Sequence, residues 1–93
     1  MENRIKVLIA DGSEAFCGHL KNELQQLDGY DLVGTAADGE EAVRLLEATK
    51  PDILVLDLML AKRDGISVLC YANAMDKTPV GLVTSGFITD YVG

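Results

Sequence analysis

The sequence predicts an α/β fold built on a parallel sheet, and three observations lead there. Short apolar runs alternate with segments whose apolar residues recur at helical period. The runs IKVLIA and ILVL carry almost no polar alternation, the pattern of strands buried on both faces. The resulting order, β-α-β-α-β-α-β, is the one that right-handed crossovers build into a parallel sheet.

The first strand spans Ile5 to Ala10 and closes at Asp11-Gly12. Ser13 is placed to cap the next helix by accepting from its free N–H groups. That helix carries Phe16, Leu20, Leu24 and Leu27 on one apolar face. Asp28-Gly29 ends it, with the glycine suited to a left-handed cap. Leu32 to Ala36 is the second strand. Asp38-Gly39 is a turn, and Asp38 is a cap for the second helix. There Ala42, Val43, Leu45 and Leu46 form the buried face; Glu40, Glu41, Arg44 and Glu47 form the wet one. Pro51 stops this helix and biases Lys50 toward extended geometry.

Ile53 to Leu56 is the third strand, ending at Asp57, and LMLAKRDG is the loop after it. Ile66, Leu69 and Cys70, with Asn73 or Ala74, mark a short third helix. Thr78-Pro79 leads into a fourth strand, Val80 to Thr84. Ser85-Gly86 is a loop, and Thr89 to Val92 begins another helix.

Ninety-three residues suffice for one domain and not two. With 48% hydrophobic and 25% charged residues the composition is that of a globular chain. Aromatics are 5% and Trp is absent, so the core is aliphatic. A net charge of -7 repels phosphate backbones and argues against direct nucleic-acid binding. The simpler reading of this balance is solubility, and the competing one is a local acidic pocket that holds a cation. Cys17 and Cys70 lack CxxC spacing and read as buried free thiols of a reducing cytosol. The N-terminus, MENRIKVLIADG, has too short an apolar run for a signal peptide, and no stretch approaches a membrane span of ~20 residues. The expected location is the cytoplasm.

In an open parallel sheet, ligands gather at the carboxyl ends of the strands. The first strand ends at Asp11, the third at Asp57, the fourth at Thr84-Ser85. Two carboxylates and two hydroxyls on one rim suit a hard cation and an oxyanion. Carboxylate and carbonyl oxygens match Mg²⁺, which keeps waters and takes phosphate oxygens as further ligands. A cation also offsets the repulsion when a carboxylate attacks a phosphoryl group to give an acyl phosphate. The competing reading is that loop carboxylates cap helices or solvate loops. Two at matching strand ends weaken it.

These residues resemble the receiver domain of bacterial two-component response regulators. IKVLIADG is similar to the family's first strand and acidic turn, and GTAADGEEAVRLL to its second strand and helix. PDILVLDLMLAKRDGISVL is similar to its phosphoacceptor strand, loop and third helix, and PVGLVTSG to its fourth strand with the switch hydroxyl. The likeness covers essentially the whole chain, with a narrower likeness to regulators of endospore formation. It implies a flavodoxin-like, doubly wound, three-layer fold over residues 1–93, truncated before a fifth strand and last helix. It implies that Asp57 takes a phosphoryl group from a sensor histidine kinase or phosphotransfer protein. It implies that Asp11, Asp57 and the backbone carbonyl of Met59 hold Mg²⁺, and that Thr84 is the switch hydroxyl. An effector domain, DNA-binding by expectation, would carry the output.

The sequence departs from the family pattern in three places. Gly12 stands where a second acid usually ligates the metal, which weakens the expected Mg²⁺ site; Glu14, two residues on, is a substitute or else a partner of the helix dipole. Leu60 stands where Pro is common. The phosphate-binding lysine of the family has no counterpart among Lys6, Lys21, Lys50, Lys62 and Lys77. Without a fifth strand, the apolar VGLV becomes an edge that invites pairing, including a homodimer.

His19 reads as surface or half-buried packing rather than a phosphodonor. Asp64 reads as a turn residue and Lys62-Arg63 as solvated. Cys17 and Cys70 fall on opposite sheet faces, which argues against a disulfide. Two functions follow: a phosphoryl-accepting switch that is not an enzyme in the usual sense, and a receiver-like interaction module that no longer takes phosphate. A flavin- or nucleotide-binding α/β protein is a third, but no GxGxxG or GxxxxGK loop supports it.

Overall fold

The computed structural model describes residues 4–57 and 65–84. The elements run β1 (Ile5–Ala10), α1 (Glu14–Gln25), β2 (Tyr30–Ala36), α2 (Gly39–Thr49), β3 (Ile53–Asp57), α3 (Gly65–Asn73) and β4 (Val80–Thr84). All strand pairs are parallel, in the order β2-β1-β3-β4. This is the flavodoxin-like α/β arrangement expected, with β4 outermost among the described residues.

Strand side chains alternate between two faces. Leu8, Ala10, Leu54 and Leu56 point to the face covered by α2 and α3, where they pack with Ala42, Leu46, Val68 and Ala72. Val7, Ile9 and Val55 point to the other face, against Phe16, Cys17, Leu20 and Leu24 of α1. The core is aliphatic, and Val7, Leu8, Ile9 and Ala10 of β1 are all buried at its centre. In β2 the register slips by one between Val7 and Leu8, so Val33 is an extra residue. Gly34 then admits Leu45, whose Cδ1 would stand 3.4 Å from a Cβ there.

Both helix caps form as expected. Ser13 Oγ accepts from Phe16 N at 3.1 Å. Asp38 Oδ1 accepts from Glu41 N at 2.9 Å, while Glu41 Oε1 accepts from Ala37 N at 2.9 Å.

Four expectations need correction. The first helix ends at Gln25 with Gln26 as its cap, so Leu27 is 52% exposed rather than on the buried face; Gly29, at φ 91, turns the chain into β2 instead of capping the helix. Lys50 is left-handed (φ 47, ψ 64), not extended, because its N–H closes on Leu46 O at 3.0 Å. The buried side of α3 is Gly65, Val68 and Ala72; Ile66 is 62% exposed and Cys70 also faces outward. The run GISVLCYAN is apolar almost all round, so its period carries no phase. Cys17 is only half-buried. Both thiols are free and on helices of opposite faces, as expected.

At the amino ends of the strands, Asp52 acts as a clamp. Its Oδ2 accepts from Lys6 N at 2.7 Å and its Oδ1 pairs with Lys77 Nζ at 2.9 Å. Lys6 Nζ also donates to Thr49 O and Lys77 Nζ to Lys50 O, satisfying carbonyls at the end of α2. Tyr71 Oη donates to Glu47, tying α3 to α2.

Candidate functional site

The opposite rim holds the residues of interest. Ala10 and Leu56 are register partners, so Asp11 and Asp57 leave adjacent strands side by side. Asp57 in turn is in register with Thr84, of which the described feature is its backbone place in β4. Met59, Leu60, Lys62, Arg63, Asp64 and Ser85 lie outside the described residues, as does the expected helix from Thr89 to Val92.

Asp11 is positioned by three contacts. Its N–H donates to Ala36 O at 2.9 Å, its Oδ1 accepts from Ser13 N at 2.8 Å, and its carbonyl accepts from Cys17 Sγ at 3.4 Å. Burial raises its proton affinity, the Ser13 amide opposes this, and the charge of Asp57 adds to the rise. Two carboxylates that repel one another are a suitable pair for a cation. Burial, then the charges of Asp11 and Glu14, push the Cys17 thiol up, so it is protonated and unreactive at neutral pH.

On the side of Asp11 away from Asp57 lies a cleft of about 260 Å³ lined by Asp11, Gly12, Glu14, Cys17, Thr35 and Glu41; Asp57 does not line it. Glu41 is engaged with the Ala37 amide, and Glu14 is exposed on the first turn of α1. Among the described residues no three of His, Cys, Asp and Glu are grouped to hold a metal. Glu14 therefore does not complete a three-acid set there. Among the described residues the donors are two carboxylates, a set that fits a Mg²⁺ keeping most of its water. A larger groove, about 570 Å³, lies between α1 and β2 and contains neither Asp11 nor Asp57. His19 is exposed, as expected.

The sequence reading missed the role of Asp52 and the Glu41 bond to Ala37. For the second, Asp38-x-x-Glu41 has the capping-box spacing, which signals a bond back toward the cap, although the carboxylate takes the amide of Ala37, one residue before Asp38. No local pattern marks the first, since Lys6 and Lys77 meet Asp52 only through the fold.

The family model described as the response regulator receiver domain matches residues 7–91. The chain belongs to the response-regulator receiver family. This receiver is 48% identical over 63 residues to the alkaline phosphatase synthesis transcriptional regulatory protein PhoP of Bacillus subtilis, covering 68% of this chain and 25% of that protein. It is 32% identical over 85 residues to a protein-glutamate methylesterase/protein-glutamine glutaminase of Caldanaerobacter subterraneus, covering 91% and 23%. The receiver thus spans about a quarter of the length of these two relatives. Among solved structures, it matches the response regulator domain of Thermotoga maritima CheB with a TM-score of 0.78 at 31% identity, covering 88% of this chain and 60% of that one. It matches the CheX-CheY-BeF3-Mg complex of Borrelia burgdorferi with a TM-score of 0.73 at 34% identity, covering 87% and 61%. No helix among the described residues is long and apolar enough to cross a membrane.

Proposed function

We propose that this receiver, over residues 1–93, accepts a phosphoryl group on Asp57 from a phosphohistidine of a sensor kinase or phosphotransfer protein. One observation carries the reading: Asp57 ends β3 between Asp11, just past the end of one neighbouring strand, and Thr84, at the end of the other.

In the transfer, an Asp57 carboxylate oxygen forms a bond to phosphorus as the donor's N–P bond breaks. The imidazole leaves with the electron pair and takes up a proton. Asp11, with Asp57 and the Met59 carbonyl, would hold Mg²⁺, which would offset the negative charge gathered there. Asp11 is kept in place by the Ser13 amide and the Ala36 carbonyl. The Thr84 hydroxyl would donate to a phosphoryl oxygen and so couple phosphorylation to β4, the outer strand among the described residues and a candidate homodimer edge. The protein acts in the cytoplasm as a switch; any catalysis is of its own phosphorylation and dephosphorylation. An attached effector would deliver the output. Transcription is favoured by the PhoP relative and by the likeness to sporulation regulators; the methylesterase relative offers a different output.

Intact mass after acetyl phosphate with Mg²⁺ tests the reading. The protein gains a phosphoryl group and Asp57→Asn does not. A folded parent that gains nothing, beside a receiver that labels in parallel, leaves the second reading, a phosphate-independent interaction module. Gly12 is the observation that favours that alternative.

A further inference from the structure

Position 12 does not require glycine. Gly12 is exposed and its φ lies outside the left-handed region. Among the described residues a Cβ there would meet only Ala37 O, at 3.4 Å, the near edge of ordinary contact. The backbone and its surroundings would accept an acid, so the missing side chain is a matter of ligand chemistry and not of folding.

What remains among the described residues is the pair Asp11 and Asp57, with a cleft of about 260 Å³ on the Asp11 side. No third metal-ligating side chain joins them among the described residues. Mg²⁺ gives up water reluctantly, and with one or two carboxylates it is held largely through phosphate oxygens. We infer that Gly12 sets the order of arrival at this site: the divalent cation is taken together with the phosphoryl group and not before it. The inference rests on the phosphoacceptor reading. A phosphoryl group on Asp57 brings the anionic oxygens that an acid at position 12 would otherwise supply. The resting Asp11–Asp57 pair therefore stays poor in metal, and occupancy rises on phosphorylation.

Calorimetric titration of the intact protein with Mg²⁺ alone, then with beryllium fluoride at saturation, tests this. Gly12→Asp and Gly12→Ala are titrated beside the parent. Parent and Gly12→Ala should bind Mg²⁺ alone equally weakly, and Gly12→Asp about tenfold or more tightly. Beryllium fluoride should tighten Mg²⁺ binding to the parent by a larger factor than to Gly12→Asp. Equal Mg²⁺ affinity of parent and Gly12→Asp, or equal enhancement in both, overturns the inference while leaving Asp57 as acceptor. Should Gly12→Asp not fold, the parent decides alone: an enhancement below about tenfold overturns it. Beryllium fluoride that binds none of the three, even at high Mg²⁺, removes the phosphoacceptor reading and the inference with it.

Discussion

Asp57 lies one strand over from Asp11, and its negative charge adds to the rise that burial imposes on the proton affinity of Asp11. The folded state therefore binds the Asp11 proton more tightly than the unfolded chain, whose value is near 3.8. That contribution to stability is full below pH 3.8 and is lost as pH rises through the higher folded value. Asp11→Asn keeps an oxygen for the Ser13 amide but removes the charge. We expect the variant, without Mg²⁺, to be more stable than the parent at pH 7 and equal to it at pH 3. Urea unfolding at the two pH values measures this; a variant less stable at pH 7 would show that the Ser13 bond to a full carboxylate outweighs burial and repulsion.

Asp52 behaves in the opposite sense. The Lys6 amide, then Lys77, hold its carboxyl below the ordinary value of 3.8. Its contribution is present above pH 3.8 and fades as pH falls through the lowered folded value. Asp52→Asn should lower the melting temperature at pH 7, with the difference shrinking as pH falls below 3.8. Lys77→Ala should lower it less, because the Lys6 amide bond survives and Lys77 is 48% exposed. Thermal melts across this range give both results.

The orientation of α3 is open to a direct comparison. Val68 is fully buried, while Ile66 is 62% exposed. Val68→Ala should destabilise by about 1–3 kcal/mol, and Ile66→Ser by less than about 0.5 kcal/mol, in denaturant unfolding. Reversed magnitudes would restore the helix face that carries Ile66 and Cys70.

The start of α2 is held by Asp38, which accepts from the Glu41 amide, and by Glu41, which accepts from the Ala37 amide. Asp38→Ala should cost about 1 kcal/mol of stability. Glu41→Ala should cost less, since it frees only the exposed Ala37 amide. Chemical denaturation of the two variants, with far-UV circular dichroism of the folded states, checks the order.

Much of this was legible in advance because the signals are local. β1 and β4 have the bounds their apolar runs predict, and Ser13 and Asp38 cap the helices they precede. Asp11 and Asp57 meet because parallel strands share their carboxyl ends. The failures fall where the local signal is silent or outvoted. Leu27 continues the helical period but lies past the helix end, in the turn that leads through Gly29 into β2. Lys50 precedes a proline, yet the helix end takes it left-handed. In α3 nearly every residue is apolar, so only packing against Leu8, Leu54 and Leu56 chooses which side goes in. Asp52 gains its partners from residues 46 and 25 positions away, which no window of sequence contains.

The central place of β1 has a consequence for how the two halves of the rim respond to opening. Val7 through Ala10 are buried on both faces between β2 and β3, whereas Val80, Leu82 and Val83 of β4 remain 46–63% exposed. Amides of Leu8 and Ile9 should then exchange with deuterium only when the whole domain unfolds, and those of β4 through smaller excursions. Asp11 is thus bolted to the slowest-exchanging strand, a fixed landmark against which displacement of the β4 side would register.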